Sequence, residues 1–123
     1  KFKLPDGTWF DMRDYITVER KMNADELCLC FGEQRNRFIK EFERLKESNI
    51  RMWLLVENAT FKKMYNGQYR SKYRPKALIA STLAWQARYN CRIVMCDESV
   101  TGKLIHDILY YEAREILMGM VDE

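Results

Sequence analysis

The stretch "DYITVERKMNAD", Asp14 to Asp25, alternates like a β-strand and then ends in charge. From Tyr15 to Lys21 the alternation puts Ile16, Val18 and Arg20 on one side and Tyr15, Thr17, Glu19 and Lys21 on the other, because successive strand side chains point to opposite faces. Glu19 and Lys21 therefore leave the strand together, about 7 Å apart along the chain. A carboxylate beside an ammonium at a strand end can hold a divalent cation and a water at once. The acid binds the metal, and the amine polarises the water and steadies the charged phosphorane. E-x-K alone is a short pattern that many chains carry by chance. The plainer alternative is an exposed ion pair on an edge strand, worth little to stability.

Downstream, "NADE" offers Asn23 as an N-cap with Glu26 at the capping-box spacing, and Gly32 ends the short helix. A second helix is predicted over Arg35 to Lys46, with Phe38, Ile39, Phe42 and Leu45 as its apolar stripe and charges on its other face. "RMWLLVE", Arg51 to Glu57, reads as a strand covered on both faces. Thr60 to Tyr65 suggests a short helix closed by Asn66-Gly67, and Pro75 the first residue of a helix reaching Tyr89. "CRIVMC" is another buried strand, and Ser99 is placed to cap the last helix. Upstream, P-D-G-T between two apolar-aromatic runs in "KFKLPDGTWF" is a hairpin signal. Strands alternating with helices predict a single α/β domain over residues 1–123 with a mixed or mostly parallel sheet.

The chain has 123 residues and a net charge of +3, but the charge is unevenly spread. Between Asn58 and Cys96 there is no Asp or Glu, while eight basic residues fall there. The other 13 basic residues face 18 acidic ones, a net of −5. A basic segment on an otherwise acidic chain suits a polyanionic partner. Its densest part is "KKMYNGQYRSKYRPK". There Lys62, Lys63, Arg70, Lys72, Arg74 and Lys76 interleave with Tyr65, Tyr69 and Tyr73, a composition suited to phosphate contact and to stacking on bases. A solvated loop and helix start is the alternative.

Cys28, Cys30, Cys91 and Cys96 match zinc spacings poorly and sit among apolar residues. Buried free thiols in a reducing compartment are expected, with a metal or disulfide as the alternative. No apolar run is long enough to cross a bilayer, so no membrane partner is expected. His106, the sole histidine, belongs to the last helix and is expected to pack or face solvent rather than catalyse. Trp9, Trp53 and Trp85, with most methionines, are expected in the core.

The longer pattern E-R-K-x-x-x-D, Glu19 to Asp25 after an "ITV" strand, resembles the signature of the XPF-type nuclease domain, of the PD-(D/E)XK fold. "RNRFIKEFERL" is similar to the helix that follows in that family, and "WLLVEN" to its next strand. "GQYRSKYRPKALIASTLAWQARYNCRIVMC" resembles the downstream segment of phage and bacterial members. The likeness covers roughly residues 15 to 117 and implies a restriction-endonuclease-like central mixed sheet flanked by helices.

It further implies a Mg2+- or Mn2+-dependent endonuclease that hydrolyses phosphodiester bonds in branched or flapped DNA. Such domains often pair, which makes a second copy of the chain a candidate partner. The implied location is the cytoplasm of a bacterial or phage-infected cell. The candidate catalytic residues are Glu19, Arg20, Lys21 and Asp25, with Glu19 as metal ligand. Lys62, Lys63, Arg70, Lys72, Arg74, Lys76, Tyr69 and Tyr73 are the candidate DNA contacts. Arg20, on the opposite face, is expected to bridge to Asp25 or another acid and fix the strand end. Asp25, in a helix's first turn, serves either the helix dipole or the site. Glu57 could approach the same sheet edge.

The family pattern also has a Gly-Asp upstream of E-R-K and an earlier Asp-x-Arg-Glu, and this chain shows neither. Asp14 has odd spacing to Glu19, Asp11 is about 26 Å away along a strand, and Asp6 lies in the hairpin turn. The expectation is that the Gly-Asp and a first strand precede Lys1, and that this piece binds metal weakly and cleaves little. A non-catalytic DNA-binding or dimerisation module with the same fold is the second reading.

Overall fold

The computed structural model describes residues 2–122. It begins with a hairpin of β1 (Phe2–Lys3) and β2 (Trp9–Phe10), paired antiparallel with Lys3 opposite Trp9. The turn follows from its residues. Asp6 accepts from the Thr8 backbone N–H at 2.9 Å, and Gly7 takes φ +91°, a conformation in which a Cβ is strained. With two residues per strand the hairpin has little to bury. Trp9, expected in the core, is 62% exposed, whereas Phe10 is buried. Asp11 then caps a 3-10 turn, Met12–Asp14, that delivers the chain to the main sheet.

That sheet is parallel throughout, in the order β3 (Ile16–Lys21), β4 (Arg51–Glu57), β5 (Cys91–Cys96). Of the mixed or mostly parallel sheet expected, the parallel form is what the structure has, and the mixed central sheet that the resemblance implied is corrected: among the described residues the antiparallel pairing belongs to the separate hairpin. Parallel neighbours need long crossovers. From β3 to β4 the chain runs through α1 (Ala24–Phe31) and α2 (Arg35–Glu47). From β4 to β5 it runs through α3 (Phe61–Tyr65) and α4 (Pro75–Arg88). After β5 comes α5 (Thr101–Asp122). Its start differs from expectation. Asp97, not Ser99, makes the cap by accepting from the Ser99 N–H, and a 3-10 turn, Glu98–Val100, precedes the helix.

The alternation along β4 divides the core. Met52, Leu54 and Val56 join Leu27, Phe31, Phe38, Phe42, Leu78 and Trp85 from the crossover helices. Leu55, from the other face, joins Ile16 and Ile108, with Trp53, Leu104 and Ile105 packed alongside. Leu54, Leu55 and Val56 are wholly buried, as a strand covered on both faces requires. Trp85 is the hub of the larger core, with ring centroids 5.1 Å from Phe31, 5.6 Å from Phe38 and 5.5 Å from Tyr89. The methionines divide. Met52 and Met64 are buried, whereas Met22 and Met118 are exposed. The cysteines are free thiols, three of them buried.

Candidate active site and nucleic-acid interface

β3 carries its charges to the carboxyl edge of the sheet, where side chains of parallel α/β domains commonly meet ligands. Glu19 and Lys21 do leave the same face, and the Lys21 Nζ lies 3.6 Å from Glu19 Oε1. Together they line a cavity of about 80 Å³ with Cys30 of α1 and with Gln34, Arg37, Phe38 and Glu41 of the α2 region. Glu19 Oε2 is buried there with no hydrogen-bond partner. A buried oxygen of that kind is costly unless something else satisfies it.

Two carboxylates, Glu19 and Glu41, share this cavity with two cations, Lys21 and Arg37. Burial pushes the Glu41 carboxyl up, and the like charge of Glu19 adds to it, against Lys21, Arg44 and Arg37. Burial works against the Lys21 ammonium, but the Cys30 sulfur and the Glu19 and Glu26 carboxylates outweigh it and raise its pKa. Lys21 is therefore a fixed cation at neutral pH rather than a base. The Cys30 thiol is pushed up, first by burial, against the pull of the Lys21 cation.

Gln34, Arg37 and Glu41 escaped sequence reasoning because α2 was divided into an apolar stripe and a solvent face. Their spacing of three and four was the available signal. It marks a row flanking Phe38 and Phe42. Among the described residues no group of three or more His, Cys, Asp or Glu is arranged to hold a metal. The donor set at the cavity is two carboxylates, and Mg2+ typically takes one or two plus water and substrate phosphate. On that count, and with an orphaned oxygen present, these residues suit an incompletely caged hard cation.

Arg20 points to the other face and does not bridge to Asp25. Its Nε meets Glu57 Oε1 at 2.6 Å. The Thr101 hydroxyl donates to Glu57 Oε2, so one buried carboxylate ties the ends of β3 and β4 to the start of α5. Glu57 thus reaches the same sheet edge, as the sequence allowed, but on the face opposite Glu19. Thr101 first, then Arg20, hold its carboxyl below the ordinary value of 4.5. A depressed carboxyl pKa stabilises the fold above that value and loses the contribution as pH falls through the folded pKa. Glu57→Gln is expected to lower stability near pH 7 and to flatten the acid limb below about pH 4.5. Urea midpoints at neutral and acid pH check this, and an unchanged acid limb would contradict it.

Asp25 contacts neither member of the pair. Its Oδ1 accepts from the Ser71 backbone N–H at 2.7 Å. The E-R-K-x-x-x-D residues therefore serve three places. Glu19 and Lys21 form the cavity, Arg20 joins the clamp behind it, and Asp25 reaches the basic loop. Asp6, Asp11 and Asp14 stay in the hairpin turn and the 3-10 turn that lead into the amino end of β3, away from Glu19.

Lys62, Lys63, Arg70, Lys72, Arg74 and Lys76 are all exposed, and none is ion-paired among the described residues. Tyr69 and Tyr73 are half-buried against the core. Tyr69 gives its hydroxyl to the Tyr73 carbonyl, so both serve the loop's framework. Tyr65, at 62% exposed, is the ring open to a partner. His106 is exposed beside Asp107 on α5, away from the cavity.

No helix among the described residues is long and apolar enough to cross a membrane. No curated protein and no solved structure matches the chain. Among protein families, the ERCC4 domain matches residues 2–108, from the hairpin into α5. That span takes in the Glu19–Lys21 cavity, the Arg20–Glu57 clamp and the basic loop, and the chain therefore belongs to the ERCC4 domain family, whose members are nucleases acting on DNA.

Proposed function

We propose that this protein is a divalent-metal-dependent endonuclease domain of PD-(D/E)XK type, with a restriction-endonuclease-like fold, that hydrolyses phosphodiester bonds in branched or flapped DNA. The observation that carries the reading is the Glu19–Lys21 pair over one small cavity, with a buried, unpartnered carboxylate oxygen inside it. Glu19 and Glu41 are the residues that would hold Mg2+ or Mn2+. When bound, the ion supplies Lewis-acid polarisation of the phosphate and activation of the attacking water. The chain does the rest. Lys21, held as a cation, stabilises the charge that develops on the phosphoryl oxygens in the transition state. Arg37, exposed beside the same cavity, is available to a non-bridging oxygen. Arg20 acts through the Glu57 clamp, which holds the strand end rigid.

A second reading, a DNA-binding or dimerisation module without catalysis, rests on the basic loop alone, whose six exposed cations need no metal to meet phosphates. Incubating the full-length protein with flap and duplex DNA in Mg2+ or Mn2+ separates the two. Nicking supports the enzyme, and binding without nicking supports the module. In either case the basic segment has a separate test. With four of its cations on phosphates, log affinity is expected to fall against log salt with a slope of about −4. A slope near zero would remove the segment from the interface.

A further inference from the structure

Asp25 is spare for a tertiary task. The N-terminus of α1 is already capped by Asn23, whose side chain accepts from the Glu26 N–H at 3.0 Å. The Asp25 carboxylate instead reaches 46 positions along the sequence to the Ser71 amide, a charge-assisted bond. The Ser71 hydroxyl in turn accepts from the Tyr73 N–H at 3.1 Å. The Tyr73 ring lies over Gly32 at the far end of α1, where an added Cβ would sit 3.6 Å from two of its carbons. The loop is thus fastened at both ends of the helix that follows the E-R-K strand.

Exposure along the loop alternates. Ser71, Tyr73 and Pro75 are half-buried, while Arg70, Lys72, Arg74 and Lys76 are exposed. Of the inward residues Ser71 and Tyr73 are the fastenings, and the outward ones are cations. We infer that Asp25 is a positioning residue, a latch that holds the cationic loop on α1 and so sets where phosphates are gripped relative to the Glu19–Lys21 cavity. It does this through one hydrogen bond and takes no part in the chemistry. The inference deepens the nuclease reading and rests on it.

The test compares Asp25→Ala with Asp25→Asn, whose side-chain oxygen can still accept from Ser71. The readouts are amide hydrogen exchange and salt-dependent binding to a flap DNA. Asp25→Ala is expected to speed Ser71 exchange and to weaken DNA binding by about tenfold, the scale of a lost hydrogen bond to a charged group. Its salt slope should become shallower by about one. Asp25→Asn should recover most of both. An unprotected Ser71 amide in the wild type would overturn the latch. So would Asp25→Ala binding DNA like the wild type, or Asp25→Asn failing as badly as Asp25→Ala. If the wild type itself binds no DNA while Ser71 is protected, the nuclease reading fails and the latch's functional role fails with it. That pattern is distinct from wild-type binding that Asp25→Ala leaves unchanged.

Discussion

Lys21→Ala is expected to slow DNA cleavage by about 100- to 1,000-fold, the usual loss when one preorganised donor is removed from a developing oxyanion. The loss should fall on kcat with little change in KM, because the cation acts on charge that exists only in the transition state. The geometry supports that assignment. The amine is largely shielded, with its side chain 17% exposed, and is fixed beside Glu19 and Cys30 rather than free to sweep solvent. Lys21→Arg should restore only part of the rate, since a planar guanidinium cannot place its charge where a compact ammonium sits. Single-turnover assays with Mg2+ check both variants, with thermal melts to exclude unfolding. A folded Lys21→Ala protein that cleaves within a few-fold of wild type would remove Lys21 from the chemistry.

The second large effect concerns the fold that presents the site. Trp85→Ala is expected to cost about 3–5 kcal/mol, against a total stability of about 5–15 kcal/mol for a domain. Trp85 is 1% exposed and touches aromatic rings from α1, α2 and the end of α4. No single neighbour can collapse into the space it would leave. The guanidinium carbon of Arg35 also sits 5.1 Å from its ring, so the loss extends to the start of α2, where Gln34 and Arg37 line the cavity. Equilibrium denaturation measures the cost, and a loss under about 1 kcal/mol would show that the aromatic cluster is not the core's centre.

Most of the architecture was legible because each element announces itself locally. The "ITVERK" alternation, the unbroken "RMWLLVE", Asn23 as a cap and Pro75 at a helix start all lie within one element and obey its period. The common face of Glu19 and Lys21 follows from the same two-residue period. Trp9 misled because an aromatic was read by its type, whereas the strand alternation turns Phe10 inward and leaves Trp9 on the outer face.

The site's remaining parts are tertiary and leave little local trace. Arg20 finds its acid 37 positions away at Glu57, and Asp25 finds its donor 46 positions away at Ser71. Both carboxylates were visible in the sequence, but which cation or amide each would meet depends on strand order and crossover path. Glu41 was hidden differently. It sits among the charges of α2, and only the placement of that helix beside the end of β3 distinguishes it from its solvated neighbours.

Mn2+ titration followed by broadening of backbone amide signals tests the central claim most directly, because a paramagnetic ion reports where it binds whether or not DNA is cut. The account predicts broadening centred on Glu19 and Lys21 and on the α2 turn from Arg37 to Glu41, and its disappearance in Glu19→Gln. Broadening that centres instead on the acidic turn at Asp97 and Glu98, or that survives unchanged in Glu19→Gln, would contradict it.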